Sequence, residues 1–154
     1  MNTKELINYF EKEYNKKINY FDYIEWQKIS MFKYLSEDFI EKYKNKVDWI
    51  WISQFQKLSE KFIVKYKNKV NWYYISKYQK LSEEFIEKYE NKVNWLWISQ
   101  YQKLSGEFIH KYKNKINFDF LSKQNKINYL KYQIKHNIIS NKNYLKEILK
   151  LHTE

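Results

Sequence analysis

The chain has 154 residues, of which 44% are hydrophobic and 21% aromatic, so its composition is not that of a disordered protein. It contains no Pro and one Gly, too few turn residues for many short strands, which argues against an all-β fold. The absence of Cys excludes disulfides and thiolate metal sites. The formal net charge of +11 indicates an anionic partner such as nucleic acid, a membrane surface or an acidic protein.

All 29 basic side chains are Lys. Base-edge recognition favours the bidentate guanidinium group of Arg, so the absence of Arg weakens that interpretation. Lys, Asn, Ile, Tyr and Phe also share A/T-rich codons, whereas the missing Ala, Arg and Pro have G/C-rich ones. The excess of Lys therefore has two open explanations, genome composition and a selected anion-binding surface.

The N-terminal segment, residues 1–23, is predicted to cap the fold. Thr3 can cap a helix that extends through Tyr14, and the following KKINYFDY reads as an irregular insertion. The sequence MNTKELINYFEKEY has charges every few residues and lacks the apolar core of a signal peptide. No apolar run approaches the roughly 20 residues that span a bilayer. We therefore expect a cytoplasmic protein without membrane association, in the host cytoplasm if the chain is of viral or phage origin.

Residues 24–127 repeat one sequence unit with a period of 23 residues. The unit VNWLWISQYQKLSGEFIHKY begins at Val93, and close variants of it begin at Val70 and Val47. A fixed period of this length is typical of a stacked array. The positions that keep the step are Trp49, Trp72, Trp95 and Phe118; Ile52, Ile75, Ile98 and Leu121; Tyr43, Tyr66, Tyr89 and Tyr112; and Ser36, Ser59, Ser82 and Ser105.

Each unit reads as two short helices. In SEEFIEKYENK, Ser82 is a good N-cap, the two following Glu residues suit the helix dipole, and Asn91 suits a left-handed position after the helix. Asn94 caps the second helix, which is predicted to run to Leu104 with a broad apolar arc that includes Tyr101. Because helices this short are marginal alone, stacking must stabilise them. The sequence therefore predicts an all-α fold, an α-solenoid of tandem short helix–turn–helix repeats with atypical terminal caps.

The C-terminal segment, residues 128–154, is the second predicted cap. NYLKYQIKH and NKNYLKEILKL read as two helices, the last of them amphipathic. The unit with Phe118 and Gln124 departs from the pattern, so residues 117–127 are interpreted as a transition into this cap. Terminal repeats of a solenoid are normally atypical. Caps and repeats together are predicted to form a single domain over residues 1–154.

The unit W-x-x-I-S-x-[YF]-Q-K-L-S-E-x-F-I resembles the repeats of many predicted proteins from giant DNA viruses, phages and AT-rich bacteria. It covers roughly residues 24–127. The resemblance implies a viral or phage-like origin. It implies no general activity and no catalytic residue.

No constellation of catalytic residues is visible in the sequence. His110, His136 and His152 are scattered without metal-ligand spacing, and His110 stands where other units have Glu or Val, which indicates a surface position. Acidic residues such as Glu83 begin helices, where the helix dipole explains them better than paired-carboxylate catalysis. A single glycine, Gly106, cannot form a Gly-rich phosphate loop. We therefore predict that the chain is not an enzyme and uses no cofactor and no metal.

An aromatic ladder recurs once per unit and has two interpretations. Its members are Trp51, Tyr74, Trp97 and Phe120. Such a ladder can stack one nucleic-acid base per repeat. On a helical wheel these residues fall at the edge of the apolar arc, which favours the alternative that they fill the solenoid core.

The outward positions of the second helices form the candidate binding surface. This stripe is rich in Lys and Gln and carries apolar residues, whereas the outward positions of the first helices are mixed or acidic. Repeat proteins commonly bind through one continuous face, although a solvated Lys-rich face without a partner is the alternative. The predicted binding residues are Ile50, Gln54, Lys57, Tyr73, Lys77, Lys80, Leu96, Gln100, Lys103, Lys123 and Lys126. A second basic ladder in the inter-helix turns comprises Lys46, Lys69, Lys92 and Lys115.

The leading functional hypothesis is a non-catalytic repeat scaffold that binds a macromolecule, in the first place a protein, because apolar residues within a polar rim form protein hot spots. Binding of RNA or DNA through the Lys residues is an alternative, with sequence-tolerant and salt-sensitive affinity. A phage or viral chain could combine both modes as an inhibitor of a host nuclease–guide complex, as anti-CRISPR proteins do. A structural solenoid that self-associates end to end is the remaining alternative. The oligomeric state stays open.

Overall fold

The computed structural model describes residues 1–32 and 34–153, with side chains described as far as residue 151. These residues form 11 α-helices and two 3₁₀ turns and contain no β-strand. The central helices have six or seven residues each and recur regularly. The predicted fold class, an all-α solenoid of short helical repeats with atypical caps, is therefore confirmed. The fold consists of two compact units, residues 1–79 and 80–154, and their union in one domain stays a prediction.

The N-terminal unit begins with a longer cap helix and continues with short repeat helices. Its elements are α1, Thr3–Glu13; a 3₁₀ turn, Ile18–Tyr20; α2, Tyr23–Ser30; α3, Glu37–Lys42; α4, Trp49–Phe55; α5, Glu60–Lys65; and α6, Trp72–Tyr78. Helices α3 and α5 are the first helices of their repeats, and α2, α4 and α6 are the second helices. Helix α2 packs on α4, and α4 packs on α6. The second helices of this unit therefore form a layer.

The C-terminal unit contains two further repeats and a cap of two longer helices. Its elements are α7, Glu83–Lys88; α8, Trp95–Tyr101; α9, Gly106–Lys111; a 3₁₀ turn, Phe118–Phe120; α10, Lys123–Lys135; and α11, Asn141–Thr153. Helices α10 and α11 confirm the two predicted C-terminal helices, although α10 begins earlier, within the predicted transition. The 3₁₀ turn stands where another second helix would begin. Helix α10 packs on both α9 and α11.

The predicted N-caps of the repeat helices are confirmed. The Ser82 hydroxyl accepts a hydrogen bond from the Phe85 backbone N–H at 3.1 Å. The Asn94 side chain accepts one from the Trp97 N–H at 3.2 Å. These bonds satisfy N–H groups that have no partner within the first turn of a helix. The start of each short helix is therefore fixed by a local side chain.

Two local predictions are wrong. Helix α1 is capped by Asn2 rather than Thr3, because Asn2 and Glu5 form a reciprocal capping box in which each side chain accepts from the other's backbone N–H. Asn91 does not adopt a left-handed conformation, since Asn15 and Asn137 are the only non-glycine residues with positive φ in the described part of the chain. The turn after α7 closes instead through hydrogen bonds from the N–H groups of residues 92 and 93 to the Tyr89 carbonyl.

The core of each unit is a column of isoleucine side chains from successive helices. All of these side chains are fully buried: Ile52, Ile63 and Ile75 in the N-terminal unit, and Ile86, Ile98 and Ile109 in the C-terminal unit. Full burial of one such side chain is worth about 1.5–3 kcal/mol. Since successive repeats supply the members of each column, a single hairpin cannot bury its own isoleucines.

The tryptophans that keep the 23-residue step, Trp49, Trp72 and Trp95, are only half-buried. The ring of Trp49 lies 4.7 Å from that of Tyr66 in the next repeat. Its indole Nε1 donates a hydrogen bond to the Lys44 carbonyl at 3.0 Å. Trp95 repeats this arrangement, with its ring 5.1 Å from Tyr112 and its Nε1 bonded to the Glu90 carbonyl at 2.9 Å. These indoles therefore join α4 to α5 in the N-terminal unit and α8 to α9 in the C-terminal unit.

A buried glutamine after each second helix joins consecutive repeats. Gln56 is 2% exposed, and its Oε1 accepts from the Leu35 N–H at 2.9 Å. Its Nε2 donates to the carbonyls of Ser30, at 3.2 Å, and Phe32, at 2.6 Å. One repeat later, Gln79 accepts from the Leu58 N–H and donates to the carbonyls of Ser53 and Gln56. Gln102, the corresponding residue after α8, also leaves its helix in an extended conformation. Helix α8 therefore ends at Tyr101 and not at Leu104 as predicted.

A buried serine in each second helix makes a further link between repeats. The Ser53 hydroxyl donates to the Trp49 carbonyl at 2.6 Å and accepts from the Asn71 N–H at 2.9 Å. In the C-terminal unit, Ser99 makes the corresponding bonds with Trp95 and Asn117. The serine thereby positions the N-cap residue of the next second helix. Each repeat is held by hydrogen bonds as well as by apolar packing.

The C-terminal cap covers positions of α9 that the sequence places on the surface. Gly106 is buried beneath α10. His110 is half-buried, with its ring 6.3 Å from that of Tyr129 and 5.1 Å from that of Tyr132. The prediction of an ordinary surface position for His110 is therefore wrong, because α10 packs over this side of α9.

Candidate functional site

The exposed side of the second helices follows from their helical geometry. In α4, the inward positions are those of Trp49, Ile52, Ser53 and Gln56, which join it to the rest of the unit. At about 100° per residue, the second, third, sixth and seventh residues then lie together on the opposite side. We call this side, taken in each unit by itself, the second-helix face. Its members in the N-terminal unit are Ile50, Trp51, Gln54 and Phe55 in α4 and Tyr73, Tyr74, Lys77 and Tyr78 in α6. Its members in the C-terminal unit are Leu96, Trp97, Gln100 and Tyr101 in α8.

In the N-terminal unit, large apolar side chains dominate this face. Ile50 is 47% exposed and Tyr73 is 45% exposed, as predicted for apolar binding residues. Gln54 and Lys77 are half-buried, and Lys57 is exposed at the end of α4. The structure thus places the predicted residues of this unit on one layer of helices, with two of the five less exposed than predicted.

In the C-terminal unit, the predicted binding residues are less uniform. Lys80, Lys103 and Lys123 are exposed, whereas Leu96, Gln100 and Lys126 are half-buried. The second-helix pattern ends at the 3₁₀ turn, since α10 takes over after Ser122. The predicted stripe is therefore better developed in the N-terminal unit than in the C-terminal one.

Sequence reasoning missed the most prominent feature of the face, a set of aromatic pairs. Each pair joins the third and seventh residues of a second helix, with ring centroids 5.7 Å apart for Trp51–Phe55, 6.1 Å for Tyr74–Tyr78 and 5.7 Å for Trp97–Tyr101. The sequence places Tyr101 in the apolar arc of its helix, yet the seventh residues Phe55, Tyr78 and Tyr101 are 40%, 47% and 51% exposed. The recurrence of Phe or Tyr four residues after each third-position aromatic was the available signal.

The aromatic ladder predicted for the core is not in the core. Trp51, Tyr74 and Trp97 are half-buried, and Phe120 is 47% exposed. The first three are partly covered by their own pair partners four residues later. Since the isoleucine columns and the glutamine bonds fill the interior, no space for the ladder remains there.

The second basic ladder is exposed but is used within the fold. Lys46, Lys69, Lys92 and Lys115 are all exposed. The Lys69 ammonium lies 3.4 Å from the Lys44 carbonyl and 6.0 Å from the centre of the Trp49 ring. Lys115 forms an ion pair with Glu90 at 2.9 Å and lies 5.5 Å from the Trp95 ring. Lys69 and Lys115 therefore connect consecutive repeats. These two members of the ladder have a structural role that requires no binding partner.

The acidic side chains of the first helices are also engaged between repeats. The Lys65 ammonium, 2.8 Å away, and the Tyr66 hydroxyl, which donates to the same carboxylate, lower the pKa of Glu41 to about 2. Burial, reinforced by this hydrogen bond, raises the pKa of Tyr66 to about 12. In the C-terminal unit, Lys111 lowers the pKa of Glu87 in the same manner. The carboxylates of Glu41 and Glu87 are thus each paired with a lysine of the first helix that follows in the same unit.

This ion pair predicts an acid-sensitive contribution to stability. Because the folded state lowers the pKa of Glu41 from 4.5 to about 2, its carboxylate stabilises the fold above about pH 4.5 and loses that effect as the pH falls towards 2. We expect Glu41→Gln to reduce the free energy of unfolding by a constant amount near neutral pH. The difference from the wild type should then shrink between about pH 5 and pH 2. Urea unfolding at several pH values measures it.

Glu107→Gln is the matched control for this measurement. Glu107 is exposed and lies in α9. Its substitution should change the free energy of unfolding little at neutral pH. If the difference between Glu41→Gln and the wild type is independent of pH from about 7 to 2, the pairing with Lys65 does not stabilise the fold.

The second-helix face combines rings with positive charge and has no acidic member. Helices α4, α6 and α8 contain no Asp or Glu. Lys77 lies 5.2 Å from the Tyr78 ring, while Lys57, Lys80 and Lys103 follow the ends of the second helices. Chemically, this face can bury apolar side chains and attract anionic groups at its rim.

Other kinds of site were sought in the part of the chain that the structure describes. Among the described side chains, those of residues 1–32 and 34–151, no three His, Cys, Asp or Glu are grouped so that they could hold a metal ion. None of the helices described is both long and apolar enough to cross a membrane. Comparison with protein-family models, curated proteins and solved structures found no significant match.

Proposed function

We propose that the chain is a non-catalytic repeat scaffold that binds a protein partner through the second-helix face. The observation that carries this proposal is the exposure of Ile50, Phe55, Tyr73 and Tyr78, each 40% or more, on adjacent helices of one unit. Clustered aromatic and aliphatic side chains with a charged rim are the usual material of protein hot spots. A folded chain gains no stability from leaving these groups in water, so their exposure favours an interface.

The arrangement of the rings favours a protein over nucleic acid as the partner. In the pairs Trp51–Phe55 and Tyr74–Tyr78, the planes are inclined by only 26° and 22°, so each ring already covers part of one face of its neighbour. An aliphatic side chain such as Ile50 packs better against an apolar side chain of a protein than against a nucleic-acid base. Proteins that bind single-stranded nucleic acid normally combine stacked aromatic side chains with a continuous cationic groove that follows the backbone.

Two carboxylates introduced into the face should abolish partner capture. We expect the double variant Ile50→Glu, Tyr73→Glu to fold, because both side chains are nearly half exposed, and to lose its partner in pull-downs from the native host cell. Each Glu would have to be desolvated against apolar partner groups, and a buried hot-spot contact is worth about 2 kcal/mol or more. The measurement is quantitative recovery of the partner at equal bait concentration.

The control is the double variant Asn45→Glu, Asn68→Glu, which changes the net charge equally. Both residues are exposed in the turns between helices. This variant should capture the partner as well as the wild type does. Equal capture by the Ile50→Glu, Tyr73→Glu variant, with an unchanged circular dichroism spectrum, would refute the proposed surface.

A further inference from the structure

In the N-terminal unit, exposed apolar side chains lie on each of three neighbouring second helices. Helices α2, α4 and α6 lie side by side, and neighbouring packed helices have axes about 8–10 Å apart. These side chains are Met31 at the end of α2, Ile50 and Phe55 on α4, and Tyr73 and Tyr78 on α6. Phe32, one residue after Met31, packs its ring instead on Phe10 of α1, 5.1 Å away. A partner that crosses all three helices therefore meets exposed apolar side chains every 8–10 Å or so.

This step matches a helix better than an extended strand. An α-helix rises about 1.5 Å per residue and covers the step in about five to seven residues, so at the upper end of this range, close to a heptad, it presents the same face again. A strand rises about 3.3 Å per residue and covers the step in about three residues, an odd number that turns the next side chain away. The face therefore suits a helix with apolar residues at heptad spacing.

The charge around the face selects the sign of the partner. Lys28, Lys57 and Lys77 are distributed over the three helices, and α4 and α6 contain no acidic residue. The one acidic residue of α2, Glu25, forms an ion pair with Lys16 at 2.7 Å. On the first helices, Glu37 accepts from Ser59 and Glu41 pairs with Lys65. Lys28 and Lys57 therefore present exposed positive charge beside helices α4 and α6, which carry no carboxylate.

We propose that this face binds an acidic amphipathic helix of a partner protein, laid across α2, α4 and α6. Its apolar side would contact the aromatic pairs, and its Asp and Glu residues would approach Lys28, Lys57 and Lys77. This inference rests on the proposed function and specifies the chemistry of the partner. An interface of this type is a helix-in-groove contact, read through apolar anchors at i, i+3 or i+4, and i+7.

A second copy of the chain does not supply such a helix from its exposed elements. Helices α10 and α11 are long enough, but they carry Lys123, Lys126, Lys131 and Lys135, and Lys142, Lys146 and Lys150, against a single Glu147. The mixed-charge helix α1 buries Leu6 and Phe10 within its own unit. Charge complementarity therefore indicates a different protein.

The inference is tested with the full-length chain and three defined probes. The first is a labelled helical peptide of about 20 residues with Leu at heptad a and d positions and Glu elsewhere. The second has Lys in place of every Glu, and the third is poly(U) RNA. We expect fluorescence anisotropy to show at least tenfold tighter binding of the Glu peptide than of either other probe.

Variants connect this binding to the face. We expect Tyr73→Glu, Tyr78→Glu to raise the Kd of the Glu peptide at least tenfold. Lys77→Glu should raise the Kd and reduce its salt dependence, because charge pairs at a rim are screened by salt. The control Asn45→Glu, Asn68→Glu lowers the net charge by the same amount but changes residues in the turns. It should therefore leave the Kd within about twofold of the wild type. Circular dichroism establishes that each variant is folded.

Three results would overturn the inference: equal binding of the Glu and Lys peptides, tighter binding of poly(U), or no effect of Tyr73→Glu, Tyr78→Glu on the Glu peptide. Failure here is separable from failure of the proposed function. If the Glu peptide does not bind but capture of the native partner remains sensitive to Ile50→Glu, Tyr73→Glu, the scaffold function stands and the acidic helix is wrong.

Discussion

Replacing Gln56 by Leu should lower the free energy of unfolding by roughly 3–5 kcal/mol, although leucine has a similar volume. The glutamine side chain satisfies the Leu35 N–H and the carbonyls of Ser30 and Phe32. With leucine in its place, these three backbone groups stay buried without that partner, and each unsatisfied group costs about 1–3 kcal/mol. Urea unfolding followed by far-ultraviolet circular dichroism measures the change, with the slope of the transition checked for constancy.

Gln54→Leu is the matched control, since Gln54 lies two residues earlier on the opposite side of α4 and is half-buried. Its effect should stay within about 0.5 kcal/mol, as for most surface substitutions. Gln56→Glu adds a second test, because a carboxylate can accept from Leu35 but cannot donate to the two carbonyls. If Gln56→Leu is as stable as the wild type, the link between repeats is made by apolar packing alone.

The parts of the fold that local chemistry determines could be predicted from the sequence. The 23-residue step gives the repeat, Ser82 and Asn94 give the helix starts, and the isoleucine positions give the core. Each of these signals acts over a few residues along the chain, so one sequence contains all the information needed. The capping box of Asn2 and Glu5 was also local, but the choice between adjacent residues 2 and 3 depends on side-chain geometry.

The glutamine bonds could not be predicted, because polar residues are expected to face solvent. Gln54 and Gln56 have the same chemistry, yet one is half-buried and the other is 2% exposed. What separates them is the chain reversal after α4, where Gln56 leaves the helix in an extended conformation and meets carbonyls more than 20 residues away in sequence. The final repeat uses Asn125 for the same bonds, to the Leu104 N–H and the Gln102 carbonyl.

The candidate site was predicted only in part, for a related reason. Ile50 and Tyr73 lie on the exposed side as expected, since a helical wheel suffices to place them. The apolar arc of α8 is predicted to include Tyr101, but isoleucine and glutamine close the core and leave Tyr101, like Phe55 and Tyr78, exposed. Large rings at the boundary are therefore left on the surface. The aromatic content of this face exceeds what the sequence alone indicated.

The strongest sequence exception, Gly106, marks the place where the cap begins. Other repeats have Glu at this position, namely Glu37, Glu60 and Glu83. At Gly106 the backbone of α10 approaches so closely that an added Cβ would lie 2.4 Å from the Asn128 carbonyl oxygen and 2.4 Å from the Tyr132 Cβ. Neither neighbour is the end of a flexible side chain. The consensus residue is therefore excluded by the packing of the cap helix.

We expect Gly106→Glu, the substitution that makes this repeat resemble the others most, to detach α10 from α9. The overlap with backbone atoms forces α10 outward, which breaks the 2.7 Å bond from Asn128 to the Leu104 carbonyl and uncovers the ring of His110. Overpacking of this kind costs about 1–3 kcal/mol, and the lost hydrogen bond adds to it. Hydrogen exchange should show α10 and α11 losing protection while α4 and α6 keep theirs.

Gly106→Ala should give a smaller loss in the same segment, because the clash comes from the Cβ itself and alanine adds nothing beyond it. Glu107→Ala, at the exposed neighbouring position of α9, should change the protection of α10 little. The opposite order, in which Glu107→Ala loosens α10 and Gly106→Glu does not, would mean that helix capping rather than close approach holds the cap. A stable Gly106→Glu variant with full protection would show that α10 can dock at a greater distance, and the single glycine would then have no structural role.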